Sequence, residues 1–210
     1  TFVEYLFLKK FKYMNFHIQV KGEQILNEII KKNKPVIFVS GHFANFELMS
    51  MELTKRNINL ATIYRPLNNF FLNPFMEYLR KKYVCQYQIK KGIVGVKDSI
   101  NYIKNNFSIA LMIDQRVSEG KRLPLFEHMA LTTTLPAQLA LKFNLDIVPI
   151  YIARKKNDIF EMEIYDPIEV LNDNDAESKK LDISIKLNKT LEEMISRDPG
   201  QWIWTHNRWK

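Results

Sequence analysis

The chain has 210 residues and a formal charge of +8 at pH 7, with 46% hydrophobic and 26% charged residues. That is enough apolar chain for one folded domain with its own core, and it excludes a chain disordered throughout. Cys85 is the single cysteine, so a disulfide scaffold is excluded as well.

Residues 2–14 mix Phe, Tyr and Leu with Lys9, Lys10 and Lys12. They read as an interfacial or docking helix, or as a helix packed on the rest of the domain. Residues 22–32 form an amphipathic pattern with Ile25, Leu26 and Ile29 on one side. An alternation of strands and helices follows. Residues 35–40 are a continuous apolar run, as expected of a buried parallel strand. Residues 45–55 are helical by pattern, 58–64 a strand, 71–83 a helix, 86–89 a short strand and 94–104 a helix. Residues 108–113 form another buried strand, and 123–126 a further short one. A helix over 135–143 starts near the Thr132, Thr133, Thr134 cluster. Strands over 147–153 and 160–165 suggest a hairpin through Lys156-Asn157-Asp158, and residues 178–197 a long last helix.

This order predicts an α/β fold: a single mixed, mostly parallel sheet flanked by helices. The expected organisation is an N-terminal helical segment over 1–33 and one catalytic-type domain over 34–210. No apolar run reaches the roughly 18 residues needed to span a bilayer, and no signal-peptide pattern is visible.

The charge is uneven. Between residues 53 and 105 ten Lys or Arg face two Asp or Glu, whereas residues 172–193 hold four basic and six acidic residues. A local excess of this kind suits an anionic partner such as a phosphorylated lipid or sugar, an acidic carrier protein or a nucleic acid, or else is a solvated face.

In open α/β sheets, ligands sit at the carboxyl ends of the strands. The first strand runs into Gly41-His42, with Asn45, Phe46 and Glu47 following. His42 and Glu47 are about 140° apart on a regular helix. They meet only if His42 lies in the turn before the helix, and Gly41 is read as permitting that turn. A His backed by a carboxylate is a general-base arrangement, and helix-start N–H groups offer an oxyanion site. Asp114-Gln115 ends another buried strand and suits a polar substrate or the orientation of catalytic groups. Arg65, at a third strand end, suits a phosphate clamp. No G-x-S-x-G elbow, P-loop or dinucleotide fingerprint is present. His17, His42, His128 and His206 lack metal-ligand spacing. Cys85 reads as core.

Residues 41–47, Gly-His-Phe-Ala-Asn-Phe-Glu, resemble the His-x4-Glu block of the lipid A biosynthesis lauroyl/myristoyl acyltransferases, within the wider His-x4-Asp/Glu glycerolipid acyltransferases. Tyr64-Arg65-Pro66 with Asn68, Asn69, Asn73 and Pro74 is similar to a second block. Leu111-Met112-Ile113-Asp114-Gln115 is similar to a third. Residues 123–126, 132–140 and 147–149 resemble the stretch after it, and 201–210 the Trp-rich closing motif. The likeness runs in order from about residue 34 to 210. Glu127-His128 stands where relatives often have Phe-Gly, and Asn207 departs from the usual closing pattern while Arg208 keeps to it.

The resemblance implies acyl transfer from a thioester, on acyl carrier protein or coenzyme A, to a hydroxyl of a phosphorylated glycolipid, the lipid A precursor. It implies His42 as general base assisted by Glu47, with Asn45, Arg65, Asp114, Gln115 and Arg208 toward substrate. No metal or redox cofactor is called for, and the basic surface is expected to meet lipid phosphate and an acidic donor rather than nucleic acid. Phe70, Phe71, Phe75 and Trp202, Trp204 and Trp209 are expected to line an acyl groove or sit at a membrane surface. The expected location is the cytoplasmic face of the inner membrane, with an anchor upstream of Thr1. The competing readings are a lysophospholipid or glycolipid acyltransferase, and a non-enzymatic basic module that binds membrane or nucleic acid.

Overall fold

Residues 36–40 are buried throughout, and they form the centre of the sheet as β2 (Ile37–Ser40). Around it the computed structural model, which describes residues 3–14, 16–171, 175–205 and 207–209, places six further strands. These are β1 (Ile18–Lys21), β3 (Leu60–Tyr64), β4 (Tyr87–Lys90), β5 (Ser108–Met112), β8 (Ile147–Arg154) and β9 (Phe160–Ile164). Their order is β1-β9-β8-β2-β5-β3-β4. From β8 to β4 every pair is parallel. Only β9 turns back antiparallel on β8, and β1 runs parallel to β9. A separate antiparallel pair, β6 (Lys121–Leu125) and β7 (His128–Thr132), stands beside the sheet. The mixed, mostly parallel α/β architecture is the one the alternating pattern predicts.

The pleat of β2 divides the core. Phe38 points into one cluster, with Leu26, Leu48, Met51 and Leu79 from α2 (Glu23–Lys32), α3 (Glu47–Lys55) and α4 (Leu72–Leu79). Ile37 and Val39 point into the other, with Ile103, Ala137 and Leu187 from α5 (Ile93–Lys104), α6 (Leu135–Phe143) and α7 (Ala176–Arg197). Tyr5, Leu8 and Phe11, before and within α1 (Leu8–Tyr13), are buried in the first cluster. Cys85 is buried there too.

Three local differences from the sequence pattern have physical causes. β1 is a four-residue edge strand with half-buried and exposed residues alternating, too short to stand out by composition. β7 pairs with β6 through a two-residue turn, in which Phe126 and Glu127 take φ of 48° and 62°. Two left-handed residues are the requirement of a tight hairpin; Glu127 meets it without being glycine. The helix expected over 71–83 ends at Leu79 and passes into a π-helical turn, Arg80–Val84. Such turns re-aim side chains out of the helical register, and here the re-aimed residue is Arg80.

No helix of the described residues is long and apolar enough to cross a membrane. His206 and Lys210 of the closing motif, and residues 172–174 of the acidic stretch, lie outside the described residues.

Candidate active site

β2 and β5 are neighbours in register, with Ser40 opposite Met112. Two residues beyond that pair stand His42 and Asp114, and the ladder continues between them through Ile113 N–H donating to Ser40 O at 2.9 Å. His42 Nδ1 lies 2.7 Å from Asp114 Oδ1, and the His42 backbone N–H donates to Oδ2 at 2.7 Å. Trp202 Nε1–H donates to the same Oδ2 at 2.9 Å. Burial pushes the Asp114 carboxyl up, but the charge of His42 and the donors from His42 and Trp202 outweigh it and hold the group below the usual carboxylate range. A carboxylate on Nδ1 places the ring proton there and leaves Nε2 as the lone-pair nitrogen.

That nitrogen faces a cavity of about 950 Å³ lined by His42, Glu47, Arg65, Arg80 and Gln115, with Met49, Met76 and Met112 among its apolar walls. Gln115 Nε2 is 3.4 Å from His42 Nε2.

The expected His42–Glu47 contact is not formed. Glu47 opens α3 on another wall of the cavity, where Arg80 donates to it from Nε at 2.8 Å and approaches from a terminal nitrogen at 2.6 Å. Tyr5 O–H donates to the same carboxylate. The chain bends at Ala44 and Asn45, with Ala44 at φ 41°, and the helix-entrance geometry directs Glu47 toward Arg80. Asp114 occupies the place beside His42. Glu47 and Tyr5 together outweigh the desolvation of Arg80 and fix it as a cation.

Gly41 acts by space. Its φ is not positive, but a Cβ there would lie 2.7 Å from the Phe43 ring and 3.0 Å from Leu191. The left-handed residue of this loop is Ala44.

The loop is fastened by the closing motif. Ala44 N–H donates to Gln201 O at 2.9 Å, Ile203 N–H donates to His42 O at 3.1 Å, and Phe43 pairs with Trp202 as an isolated bridge. Trp202 is therefore buried beneath the site. Trp204 is exposed, and Trp209 donates its indole N–H to Leu125 O at 3.1 Å. None of the three lines the cavity, and neither do Phe70, Phe71 and Phe75.

Arg65 lies on the cavity wall at the end of β3. Asn45 is buried behind the wall, and neither its side-chain oxygen nor its nitrogen has a hydrogen-bond partner. Arg208 does not face the cavity. It is fully buried and donates to Thr132 Oγ1 at 3.0 Å and to the carbonyls of Ile113 and Leu131 at 3.4 Å. It braces the end of β5 against β7. Burial pushes its guanidinium down, and Asp114 opposes this.

Tyr5 and Arg80 are not among the candidates read from sequence, and Trp202 is expected there at an acyl groove or membrane surface, whereas it is buried and donates to Asp114. Arg80 carries a readable signal, because it falls on the apolar face of Met76, Leu79 and Tyr83, where an unpaired charge is costly. Tyr5 carries none, and the closing motif marks Trp202 without giving its role, since both roles depend on contacts far away in sequence. No group of three or more His, Cys, Asp or Glu among the described residues has a metal-holding arrangement.

The chain is 24% identical over 190 residues to lipid A biosynthesis acyltransferase 2 of Shigella flexneri, covering 88% of this chain and 58% of that protein. It thus spans somewhat over half the length of that relative. Its fold is similar to the crystal structure of the 1-acyl-sn-glycerophosphate acyltransferase PlsC from Thermotoga maritima, with a TM-score of 0.51 at 14% identity over 95% of this chain and 79% of that one. The family model of the bacterial lipid A biosynthesis acyltransferases matches residues 2–210. With that match over nearly every residue, the chain belongs to the bacterial lipid A biosynthesis acyltransferase family.

Proposed function

We propose that this chain transfers a fatty acyl group from an acyl thioester, carried by acyl carrier protein, to a hydroxyl of a phosphorylated lipid A precursor. The observation that carries the reading is the His42–Asp114 pair at 2.7 Å, with the outer imidazole nitrogen facing a large, mainly apolar cavity.

An alkyl hydroxyl is a weak nucleophile at neutral pH. His42 Nε2 takes its proton as the oxygen attacks the thioester carbonyl, and Asp114 orients the ring and stabilises the imidazolium. The tetrahedral oxyanion then collapses, the C–S bond breaks, and the proton passes from His42 to the departing thiolate. The products are an ester and a free thiol. Gln115, beside Nε2, and Arg80, held by Glu47, are the donors positioned to meet oxygen atoms of the substrates. Glu47 thus acts through Arg80. Arg65 takes a phosphate or another anionic group. The work is placed at the cytoplasmic face of the inner membrane, where such a lipid is met.

The test is acyl transfer from a defined acyl carrier protein thioester to a lipid A precursor, with mass spectrometry of the product. His42→Ala and Asp114→Asn should lose transfer while keeping the wild-type circular dichroism spectrum. Wild-type rates in His42→Ala would overturn the mechanism. Lysophosphatidate and coenzyme A thioesters in parallel reactions identify the acceptor and donor.

A further inference from the structure

α4 is apolar on both sides. Met76 and Leu79 are buried, yet Phe75 and Tyr78 on its other side are 48% and 54% exposed. The loop before it carries Phe70 and Phe71 at 84% and 87% exposure, their rings edge to face with centroids 5.9 Å apart. The first turn of α5, after the loop that follows β4, presents Ile93 and Val94 at 83% and 70% exposure. The two loops leave the same edge of the sheet, because β3 and β4 are parallel neighbours with Tyr64 opposite Lys90. Both reach the catalytic cavity: Leu67 and Asn68 line it from one loop, Gly92 and Ile93 from the other. The most exposed apolar side chains of the region thus form lips around the cavity mouth.

Cations surround these lips. Arg65, Lys81, Lys82 and Lys91 are exposed, and no carboxylate of the described residues forms an ion pair with them. The one acidic side chain between residues 60 and 95, Glu77, is taken by Tyr64 O–H at 2.6 Å and Asn73 Nδ2 at 2.9 Å. Lys82 Nζ donates to Tyr78 O–H at 2.7 Å, which joins the aromatic face to the basic one. Apolar side chains that project from a loop and from the exposed sides of α4 and α5, with cations outside any ion pair behind them, suit a soft layered surface: rings in the acyl boundary and ammonium groups among phosphates. A protein partner would favour a groove or a flat packed patch.

We infer that Phe70, Phe71, Phe75, Tyr78, Ile93 and Val94 form a docking face for an anionic lipid bilayer, which opens the cavity directly onto the membrane. The inference rests on the reading of the cavity as a lipid site, but its test needs no turnover. Acyl chains then pass between cavity and leaflet without crossing water.

The experiment is co-sedimentation with vesicles of phosphatidylcholine, alone or with added phosphatidylglycerol. Wild-type protein should bind the phosphatidylglycerol vesicles and hold the neutral ones more weakly. The variant Phe70→Ser, Phe71→Ser, Ile93→Ser, Val94→Ser should lose at least about tenfold in binding to both. Lys81→Gln, Lys82→Gln, Lys91→Gln should keep the neutral binding and lose the preference for phosphatidylglycerol. These side chains are exposed, and unchanged urea midpoints check that the fold is retained. His42→Ala should bind vesicles as wild type does, so failure of the catalytic reading leaves this result standing. Wild-type vesicle binding by the serine variant overturns the proposal. So does loss of affinity for acyl carrier protein with vesicle binding intact, which would assign the face to the carrier.

Discussion

Trp202 donates its indole N–H to Asp114 Oδ2 across 88 positions of sequence, at 2.9 Å. The bond completes the set of donors on a buried carboxylate whose other oxygen holds His42. Hydrogen bonds to charged groups contribute about 1.5–3 kcal/mol. Trp202→Phe keeps most of the packing and removes this donor. It should lower kcat about tenfold or more, with KM little changed, because the loss falls on the reacting groups and spares the walls of the cavity. Steady-state kinetics with both substrates varied will separate the two.

Asp114→Asn removes the charge and leaves an amide beside His42. Acyl transfer should fall by about 10²–10⁴-fold. The same variant reports on pH. The Asp114 carboxyl is held below its ordinary value in the folded protein. Its contribution to stability is therefore complete above about pH 4, the ordinary carboxylate value, and is lost as pH falls through the lower folded value. Urea midpoints of wild type and variant should differ at neutral pH and converge in acid. A constant difference across that range would contradict the assignment.

Glu47 and Arg80 act as a unit, with Tyr5 as a third member. Glu47→Gln and Arg80→Met should each reduce acyl transfer strongly, and the double variant should lose much less than the two losses combined. Coupling energies within one network are about 0.5–3 kcal/mol. Tyr5→Phe keeps the ring beside the Arg80 guanidinium and should be the mildest of the three changes. Additive losses would show that Glu47 works independently of Arg80.

Glu127 is exposed and left-handed at φ 62° in the β6–β7 turn. Glu127→Gly should stabilise the fold by roughly 0.5–1 kcal/mol by relieving that backbone cost. Thermal unfolding will show it as a higher Tm. Phe126 is a poorer choice for the same change, because its side chain packs on the cluster around Trp202 and its N–H donates to Glu192 at 2.7 Å.

Cys85 is buried, and burial pushes its thiol up to about 11. The folded protein should react slowly with iodoacetamide at neutral pH and rapidly in urea, as read by intact mass. Fast labelling of the native protein would show that the β3–β4 edge opens.

The strand ends could be read from sequence because buried strands announce themselves as apolar runs, and polar residues directly after such runs are few. His42, Arg65 and Asp114 stand at or just beyond such ends. Their pairing could not be read. Whether His42 meets Glu47 or Asp114 depends on the order of strands in the sheet, and β2 lies beside β5 through a crossover that local periodicity does not encode. The His-x4-Glu spacing drew attention to the nearer carboxylate; the sheet supplied the distant one. Arg208 is the converse case. Its place in the closing motif suggests substrate, but the guanidinium is fully buried outside the cavity lining and hydrogen-bonds Ile113, Leu131 and Thr132 through its terminal nitrogens.

The fastening of the His42 loop by residues 201–203 also bears on when the enzyme comes into being. During synthesis the strands carrying His42 and Asp114 leave the ribosome long before their clamp. A nascent chain holds the base and its carboxylate with nothing to fix the loop between them. Contacts of such long sequence separation form late, because loop closure must precede them. Competence for chemistry therefore arrives as one event, when the Trp202 segment docks. On the proposed mechanism, a partly made or clipped chain should be inert rather than weakly active.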